Sequence, residues 1–556
     1  MGSAEMADAT AYEIRSGTYY DSVVLMQLQR ALTELPGVRD AGVVMATPAN
    51  LELLAQNDLL PDRIDPAPED LLIVVRADSQ TLADTALAEV DELLARRRTV
   101  QAGKYRPHSL KAAAEMLPQA EWVLISVPGR YAGAVAREAL DLGRNIFLYS
   151  DNVPLDQEVE MKRSAAAQGL LIMGPDCGTA VVNGVGFGFA NRVRRGSIGL
   201  VGASGTGMQA IAARIHQRGA GLSHALGTGG RDLSSQVGGI SALHCLDLLA
   251  SDPDTRVIAL VSKPPDPEVA SAVLQRAWSA GKPVVVDFIG HPAPAQSLGS
   301  IYFANSLSGT ADLAVELLEP PLEPQPDPLD RKRTDHRSYL RGLFSGGTIA
   351  QEALRGLQAL LFPVYSNLAE PHLADPLVSQ GHTLLDLGAD EFTVGRLHPM
   401  LDNDLRIRRL RREAADPQVA LILLDLVLGV GAHPDPAAEL APAIEQARAA
   451  GEIELGVILI GTDEDPQDKE LQKSRLIAAG AQVFEDTGQA VSFAAARLLE
   501  ARRPKADAGF LSRPVAAINV GVETFYDSLI GQGAPAIQVE WKPPAGGDER
   551  LQAILQ

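Results

Sequence analysis

Two long segments of the chain resemble each other, and this repeat limits the folds available to the chain more than any other feature. The first runs over about 196–318 and the second over about 339–499. Each opens with an apolar strand, a glycine turn and a helix, and each later has a helix, an Asp-Pro turn and another apolar strand. Strands that alternate with helices predict parallel sheets covered on both faces. The repeat therefore predicts two flavodoxin-like domains.

The remaining sequence predicts further α/β units and one linker. The β-α-β-(α)-β-α order of the first hundred residues is typical of a small ferredoxin-like module. From Glu121 onward strands and helices alternate again, which predicts a Rossmann-like domain. The stretch 319–337 is rich in proline and charge, as linkers are. The predicted fold class is multidomain α/β, with a module at 1–105, a Rossmann-like (CoA-binding-type) domain at 106–195, flavodoxin-like domains at 196–320 and 339–505, a linker at 321–338 and a C-terminal segment at 506–556.

Composition and charge exclude several classes of partner. The net charge is −21, and a nucleic-acid backbone requires basic patches, so we expect no nucleic-acid partner. The two cysteines, Cys177 and Cys245, suit a reducing compartment, and no cysteine or histidine spacing predicts a metal site. There is no apolar run of about 18 residues, and the N-terminus is polar, unlike a signal peptide. We therefore expect a cytoplasmic protein with no membrane partner and no metal.

A glycine turn in the first repeat predicts a phosphate site. The segment Gly202-Ala203-Ser204-Gly205-Thr206-Gly207 follows an apolar strand and opens a helix. The N–H groups and the dipole at such a helix start favour an anion. The predicted phosphate-binding residues are Ser204, Gly205, Thr206 and Gly207.

A second glycine turn lies in the second repeat. The strand at 420–426 is followed by Gly429, Val430, Gly431 and Ala432, which predicts another anion-binding helix start. In a pseudo-symmetric pair of domains, two such N-termini could face one phosphate. The alternative is that both segments are ordinary strand-to-helix turns that contain glycine.

Polar residues at other strand ends are candidates for substrate contacts, because sites in open α/β sheets lie at the carboxyl ends of strands. Arg231, which follows Gly229 and Gly230, could pair with a carboxylate or phosphate, or could cap a surface turn. Lys263 could neutralise an anion or be a solvated loop lysine. Cys177 has no recognisable base beside it and is predicted to be a packed thiol. The further candidates for substrate contacts are Asp176, His291, His398 and His433. A single histidine near a loop is usually structural, which is the alternative for the three histidines.

These motifs, in this order, resemble the succinyl-CoA synthetase superfamily, and within it the FdrA family. The segments 174–178, 202–207 and 227–232 resemble the synthetase α-subunit, and 384–388 through 429–431 resembles the C-terminal domain of its β-subunit. The similarity to FdrA extends over nearly the whole chain and includes Val261-Ser262-Lys263-Pro264-Pro265 and His398-Pro399-Met400. The resemblance implies a Rossmann-like domain, two flavodoxin-like domains and extra end modules. In the synthetases two helix N-termini point at a phosphohistidine, and the matching helix starts here are 204–206 and 429–432.

The chain departs from the synthetase pattern in three places. The stretch 298–306, which corresponds to the phosphohistidine loop, contains no histidine. The CoA-binding glycine turn near the synthetase N-terminus is absent, and no ATP-grasp domain is present. What remains is a phosphate cradle, which suits an acyl phosphate or carbamoyl phosphate that reacts directly.

FdrA relatives have been linked to carbamoyl transfer in allantoin breakdown, as oxamate carbamoyltransferase working with other subunits. The resemblance therefore implies a carbamoyltransferase subunit that binds carbamoyl phosphate or phosphate, has no covalent cofactor, and works with separately encoded partner subunits, with or without forming a homo-oligomer. In this interpretation Arg231 and Lys263 neutralise charge and Asn152 orients the carbamoyl group. Two alternatives stay open: an acyl-CoA synthetase-like ligase subunit with CoA near 127–129 and 150–152, and a non-catalytic subunit that binds phosphorylated metabolites.

Overall fold

A computed structural model describes residues 8–16, 22–61, 63–68, 70–98, 106–318, 337–393, 397–449, 451, 453–499 and 506–544. The predicted linker 321–338 lies outside the described residues except for its last two. The chain divides into two compact units, one of Met1–Asp176 with Pro514–Gln556 and one of Cys177–Arg513. No helix of the described residues combines the length and the apolar character that crossing a membrane requires.

The N-terminal module of the first unit is a three-stranded antiparallel sheet with helices, in the strand order β1-β3-β2. The central strand β3 is nearly all apolar and buried, which fixes its place in the middle of the sheet. Leu25, Leu28 and Leu32 lie on one face of α1 at helical spacing and are buried in the same core. The elements are β1 (Ala9–Arg15), α1 (Ser22–Thr33), β2 (Val38–Met45), α2 (Pro48–Gln56), β3 (Leu71–Ala77), α3 (Gln80–Ala88) and α4 (Val90–Arg98).

The Rossmann-like part follows, with strands separated by helices as the sequence predicts. Its first two strands are each four residues long, and all of these residues are buried because helices cover both faces of the sheet. Its elements in this part of the chain are α5 (Leu110–Met116), β4 (Trp122–Ile125), α6 (Gly129–Asp141), β5 (Asn145–Leu148), α7 (Leu155–Ala167) and β6 (Ile172–Met173).

The first repeat forms an eight-stranded sheet in the second unit together with two strands that precede it, 179–182 and 185–188, from the region 106–195 assigned to the Rossmann-like domain. Its order is β13-β14-β12-β11-β9-β10-β7-β8, and the five central strands β14 to β10 are parallel. Those five have the flavodoxin-like order 2-1-3-4-5. The elements are β7 (Thr179–Val182), β8 (Val185–Gly188), β9 (Arg195–Gly202), α8 (Gly205–Gln217), β10 (Leu222–Gly227), α9 (Ile240–Ser251), β11 (Val257–Ser262), α10 (Pro267–Trp278), β12 (Val284–Phe288), β13 (Ser297–Leu298), β14 (Ile301–Phe303) and α11 (Leu307–Glu316).

The second repeat forms a six-stranded parallel sheet in the order β16-β17-β15-β18-β19-β20. Apart from the edge strand β16, the other five strands repeat the order 2-1-3-4-5 of the first sheet, so the prediction of two similar α/β domains is confirmed. The elements are β15 (Tyr339–Phe344), α12 (Gly347–Leu361), β16 (Val364–Ser366), β17 (His382–Asp386), α13 (Asp390–Thr393), α14 (Asp404–Ala414), β18 (Val419–Val427), α15 (Pro436–Ala449), β19 (Glu454–Ile460), α16 (Lys469–Ala478), β20 (Gln482–Phe484) and α17 (Thr487–Leu498).

The C-terminal segment returns to the first unit. Its elements are β21 (Ala517–Val520), α18 (Glu523–Gly531) and β22 (Ala536–Val539). The Rossmann-like sheet has the order β22-β21-β4-β5-β6 and is parallel throughout. The region 506–556, which the sequence analysis sets apart, therefore supplies two strands of this sheet, and Ala516, Ile518 and Val539 join its core. The order places a topological switch point, where ligands bind in such sheets, between β4 and β21.

The turn between β13 and β14 requires glycine. Gly299 has a φ of +57°, and a Cβ there would lie 2.4 Å from the Trp278 ring. We expect Gly299→Ala to lower the free energy of unfolding by about 2–4 kcal/mol, because left-handed strain adds to overpacking. Gly281→Ala is the matched control, since Gly281 has a φ of +66° but open space beside it. Urea unfolding of both variants tests this, and equal losses would contradict the role of Trp278.

The Asp-Pro turn before β11 carries a buried carboxylate. Asp252 is fully buried and accepts a 2.5 Å hydrogen bond from the Thr255 hydroxyl, while His224 Nε2 lies 3.5 Å from its Oδ2. Burial alone would raise the pKa of Asp252, but the His224 and Thr255 contacts outweigh it and lower the pKa from 3.8 to about 2. Because the pKa is depressed in the folded protein, the carboxylate stabilises above about pH 4, and this contribution is lost as the pH falls toward 2.

We expect Asp252→Asn to lower the free energy of unfolding by about 2 kcal/mol at pH 7, with the difference from wild type vanishing near pH 2. Urea titrations at several pH values measure this. The exposed Asp254 nearby is the control, since its replacement by asparagine is expected to cost less than about 0.5 kcal/mol. A loss from Asp252→Asn that stayed constant with pH would contradict the assignment.

Candidate functional site

Three loops of the first repeat meet at one edge of its sheet. Strand β9 lies between β10 and β11, with Gly202 in register with Gly227 on one side and Val261 on the other. The backbone joins them there, because Thr228 N–H donates to Gly202 O (2.8 Å) and Ala203 N–H donates to Val261 O (3.1 Å). The segments that follow these three strands therefore share the carboxyl edge of the sheet, where flavodoxin-like domains bind ligands.

Helix α8 begins at the centre of this edge. Ser204 is its N-cap, and the Ser204 hydroxyl accepts a hydrogen bond from Gly207 N–H (3.3 Å). The N–H groups of Gly205 and Thr206 lie in the first turn, where no intrahelical acceptor exists. Gly202 leaves room for the turn, since a Cβ there would lie 2.5 Å from the Met208 side chain. The predicted helix start at 204–207 is thus confirmed, and its first-turn N–H groups are of the kind that favours an anion.

Two exposed cations follow the neighbouring strands. Arg231 comes four residues after β10, in a turn where Gly229 has a φ of +86°. Lys263 comes directly after β11. Asp232 does not belong with them, because its buried carboxylate accepts from the N–H groups of Ser241 (3.2 Å) and Ala242 (2.8 Å) at the start of α9. The fold thus brings Arg231, Lys263 and the start of α8 to one edge, as the sequence predicts.

The stretch that corresponds to the phosphohistidine loop is part of the sheet. Residues 297–303 form the hairpin β13–β14, and β14 pairs in parallel with β12. Gly299 N–H donates to the Ser492 hydroxyl (3.1 Å) in α17, which fixes the turn of the hairpin. The backbone that would carry a phosphohistidine is therefore held in a β-ladder, and no residue of it is a histidine.

A buried carboxylate binds the two residues that precede α12 in the second repeat. Asp425, at the end of β18, accepts from Ser345 N–H (2.7 Å), Ser345 Oγ (2.9 Å) and Gly346 N–H (2.8 Å). Arg406 is almost completely buried and places its guanidinium 3.2 Å from Asp425 Oδ1. Asp425 and Arg406 thus form a buried ion pair next to the start of α12, whose N-cap is Gly346.

A second carboxyl group, Asp386, lies beside this one. A Cβ on Gly347 would approach Asp386 Oδ2 to 2.7 Å, and one on Gly388 would approach His398 Nε2 to 2.7 Å. The two glycines therefore make room for these polar side chains. Burial raises the pKa of Asp386, and the charge of Asp425 raises it further. His398 Nδ1 accepts from Met400 N–H (3.2 Å), so its Nε2 carries the hydrogen in the neutral ring.

The prediction that a helix starts at Gly429–Ala432 is wrong. Those residues form a turn in which Gly429 and Gly431 have φ values of +138° and +89°, and α15 begins only at Pro436. Gly429 N–H already donates to Gln467 Oε1 (3.1 Å). At the start of α15 the Asp435 carboxylate accepts a hydrogen bond from Ala438 N–H. The hydrogen bond from Arg475 lowers the pKa of Asp435, and the Ala438 N–H lowers it further. Val430 is 96% exposed, so this turn offers exposed backbone without a helix dipole.

His433 is held beside this turn. Its backbone N–H donates to Met400 O (2.8 Å), and its Nε2 lies 3.2 Å from Glu439 Oε1. The loops that carry His398 and His433 are thus adjacent at the carboxyl edge of the second sheet. Arg396, next to His398 in the sequence, lies outside the described residues.

In the Rossmann-like domain the loops at 127–129 and 150–152, where the ligase alternative expects CoA, lie next to each other. A Cβ on Gly129, at the start of α6, would lie 2.1 Å from Asp151 O. Asn152 and Asp176 are exposed and have left-handed φ values of +51° and +56°. Asp176 N–H donates to Ser150 O (3.0 Å), so the loops after β5 and β6 are also joined. Left-handed non-glycine residues concentrate at functional sites, and these two lie at the carboxyl edge of the sheet.

Sequence reasoning missed Asp386, Asp425 and Arg406. The available signal was an aspartate at the end of each of two otherwise apolar strands, in Leu-Leu-Asp-Leu at 384–387 and again at 423–426. A charged residue in a strand buried on both faces needs a partner, so each aspartate indicates a polar network. The prediction that Cys177 is a packed thiol is confirmed. Its side chain is buried, and a Cβ on Gly227 would lie 2.3 Å from its sulfur.

Comparison with known proteins identifies the family. Three family models match: "AllF, heavy metal-associated domain" at 6–109, "CoA binding domain" at 193–290 and "CoA-ligase" at 343–497. The uncharacterized protein YahF of Escherichia coli K12 is 39% identical over 485 residues, which are 84% of this chain and 94% of YahF. The chain belongs to the FdrA family. Its two repeats are those of a succinyl-CoA synthetase-like scaffold, and the CoA-binding match falls on the first repeat.

More distant relatives of this FdrA-family chain are CoA ligases. The ADP-forming sulfoacetate-CoA ligase subunit SauD of Bilophila wadsworthia is 26% identical over 197 residues, which are 34% of this chain and 65% of SauD. The solved dinucleotide-forming acetyl-coenzyme A synthetase 1 of Ca. Korarchaeum cryptofilum, in complex with phosphate and ADP, covers 70% of this chain and 84% of its own. It is 16% identical with a TM-score of 0.29, which is too low to carry an argument.

The N-terminal module does not fit a heavy metal, although the matching family model is described as metal-associated. A soft metal requires cysteine or histidine ligands, and both cysteines of this FdrA-family chain lie in the second unit. Among the residues that the structure describes, no group of three or more histidine, cysteine, aspartate or glutamate side chains is placed to hold a metal. We therefore assign no metal chemistry to this module.

Proposed function

We propose that this protein is a subunit of a carbamoyltransferase that interconverts carbamoyl phosphate and a small amide-type acid, such as oxamate, with the N-carbamoyl product oxalurate and phosphate. The observation that carries the proposal is the carboxyl edge of the first sheet. There the start of α8 lies on the central strand and is flanked by Arg231 and Lys263 on the neighbouring strands. These donors match the charge of a phosphate group.

The residues suit transfer that proceeds without a phosphorylated enzyme. The amide nitrogen of the acceptor attacks the carbamoyl carbon, a C–N bond forms, the C–O bond to phosphate breaks, and the proton lost by the nitrogen is taken up by the released phosphate. The N–H groups of Gly205 and Thr206 bind the leaving phosphate, and the cationic side chains offset its growing charge. A phosphohistidine is not required, which agrees with the hairpin at 297–303.

Other parts of the proposal rest on the resemblance and on local geometry. The resemblance gives Asn152 the role of orienting the carbamoyl group, and within the second unit His398 and His433 are proposed to contact substrate. The exposed turn 429–432 contributes backbone to phosphate as a loop and not as a helix start. Separately encoded partner subunits complete the active assembly, and no covalent cofactor takes part.

A second candidate is an acyl-CoA synthetase-like ligase subunit. The observation that favours it is the switch point between β4 and β21, together with the joined loops at 127–129 and 150–152. If CoA binds there, millimolar CoA raises the thermal unfolding midpoint and carbamoyl phosphate does not. The opposite pattern supports the carbamoyltransferase.

The deciding experiment is to incubate the purified protein with oxalurate and phosphate, with and without its co-expressed gene neighbours, and to measure carbamoyl phosphate. Formation that depends on the partners and on this chain supports the proposal. Absence of product in every combination, together with CoA-dependent ATP hydrolysis, would overturn it in favour of the ligase.

A further inference from the structure

A half-enclosed cavity of about 290 Å³ lies between the two repeats of the second unit. The first repeat contributes residues of α10, β12 and β14, and the second contributes one side of α12 and the segment after it. None of its lining residues belongs to the loops that carry Ser204, Arg231 or Lys263. It is therefore a separate feature from the proposed phosphate site.

The repeats are held together around this cavity by polar contacts. Gln275 Nε2 donates to Leu360 O (2.8 Å), and Phe362 N–H donates to the Ser271 hydroxyl (3.3 Å). Arg355 donates one guanidinium N–H to Ala293 O (3.1 Å). These contacts satisfy backbone groups from both repeats, so the cavity has fixed walls and can select ligands by shape.

Most of the cavity wall is apolar. Its floor and sides are formed by aliphatic and aromatic side chains, namely Leu274, Val286, Phe288, Phe303 and Phe362. Ala270 and Ala359 are small and half-buried, and they leave the space open between α10 and α12. A side chain the size of leucine or phenylalanine would bury most of its surface here and be stabilised by about 1.5–3 kcal/mol.

Two opposite charges line the same cavity. Arg355 on α12 is exposed and uses one N–H on Ala293 O, which leaves further guanidinium donors. The Glu370 side chain is 84% exposed, and one of its oxygens accepts from His372 N–H (3.1 Å). Within the described part of the chain, Arg355 and Glu370 form no ion pair with each other. Glu370 Oε1 also lies 3.9 Å from His372 Nε2, and both charged side chains are exposed to a ligand.

We propose that this cavity binds a free α-amino acid with an apolar side chain. The carboxylate of the ligand pairs with Arg355, its ammonium group pairs with Glu370, and its side chain lies against Leu274, Phe288 and Phe303. A phosphate or a dicarboxylate would meet the Glu370 charge and gain nothing from the apolar wall. A simple apolar acid would leave Glu370 without a partner. The zwitterion matches both charges and the wall.

Because such a ligand contacts both repeats, it stabilises their packing. Anything that binds only the folded protein raises the unfolding midpoint by mass action. The proposal is independent of the carbamoyltransferase function, since the two sites share no residue.

The test uses isothermal titration calorimetry and thermal unfolding of the full chain with L-phenylalanine and L-leucine at millimolar concentration. We expect saturable heat and a higher midpoint for at least one of them. Phenylacetate lacks the ammonium group and 2-phenylethylamine lacks the carboxylate, and each is expected to bind about tenfold or more weakly than L-phenylalanine. No saturable binding of either amino acid, or phenylacetate binding as tightly as L-phenylalanine, would overturn the proposal.

Three variants locate the site. Arg355→Met and Glu370→Gln remove one charge each from exposed positions and are expected to weaken binding about tenfold or more. Ala359→Phe fills the cavity and is expected to abolish binding. Gln351→Met, an exposed change on the same helix outside the cavity, is the control and should bind as wild type does. If Ala359→Phe does not fold, the two charge variants decide the matter, and wild-type affinity in both would refute the assignment.

Discussion

Replacing Arg231 by alanine is expected to lower kcat/KM for the phosphate-dependent cleavage of oxalurate by about 10²–10³-fold in the active assembly. Arg231 presents a guanidinium at the edge where α8 begins, and a guanidinium can bind two phosphate oxygens at once. Lys263→Ala should act in the same direction with a smaller loss, because an ammonium group is a single point charge. Carbamoyl phosphate formation at fixed subunit concentration measures both effects.

The matched control for these variants is Arg412→Ala. Arg412 is an exposed arginine on α14 of the second repeat, away from the first sheet's carboxyl edge. Its removal changes the net charge by the same amount as the removal of Arg231, so a general electrostatic effect would appear in both. Wild-type turnover in Arg231→Ala, with the partners bound, would show that the phosphate lies elsewhere. A loss in Arg412→Ala equal to that in Arg231→Ala would show a general effect of net charge and would contradict the specific role of Arg231.

Replacing Arg406 by methionine is expected to lower the free energy of unfolding of the second repeat by about 3–5 kcal/mol. Methionine has a similar length but leaves Asp425 buried without its cation, although Asp425 keeps the bonds from Ser345 and Gly346. Burial lowers the pKa of Arg406 and the Asp425 carboxylate opposes this shift. The charge of each residue therefore depends on the other in the folded state.

Urea unfolding followed by circular dichroism measures this loss as a lower midpoint, by about 1–2 M for a domain of this size. The exposed Arg412 lies on the same helix as Arg406. Arg412→Ala is expected to change the free energy of unfolding by no more than about 0.5 kcal/mol. A midpoint for Arg406→Met that equalled that of Arg412→Ala would mean that Asp425 is neutral or solvated in the folded protein. The pairing at the start of α12 would then be wrong.

The alternation of strands and helices in the two repeats could be predicted from the sequence because their strands are continuous apolar runs. Strand β18, for example, is buried over nearly all of its nine residues, and a strand covered by helices on both faces shows no polar alternation. The start of α8 could be predicted from the same signal, since a glycine turn after such a strand fixes where the helix begins. These inferences used neighbours in the sequence only.

Features that depend on distant partners could not be predicted. Strands β21 and β22 are each four residues long, and β21 pairs with a strand almost four hundred residues earlier in the chain. Asp425 accepts a hydrogen bond from the N–H of Gly346, which lies 79 residues before it and directly precedes α12. The error at Gly429–Ala432 has a different cause. Asp435 followed by Pro436 was the stronger helix-start signal, with a capping carboxylate and a proline in the first turn, and it lay just beyond the glycines.

The pairing of β21 with β4 also determines when the Rossmann-like sheet can be finished as the ribosome makes the chain. Strands β4 to β6 emerge early, yet the neighbour of β4 on the switch-point side is synthesised only after the whole second unit. Domains fold as their residues become available, so the second unit is able to fold while the first sheet still has an open edge at β4. A nascent chain that stops short of residue 517 would expose that edge. The Rossmann-like crevice is therefore complete only in a chain that has been translated through its last strands.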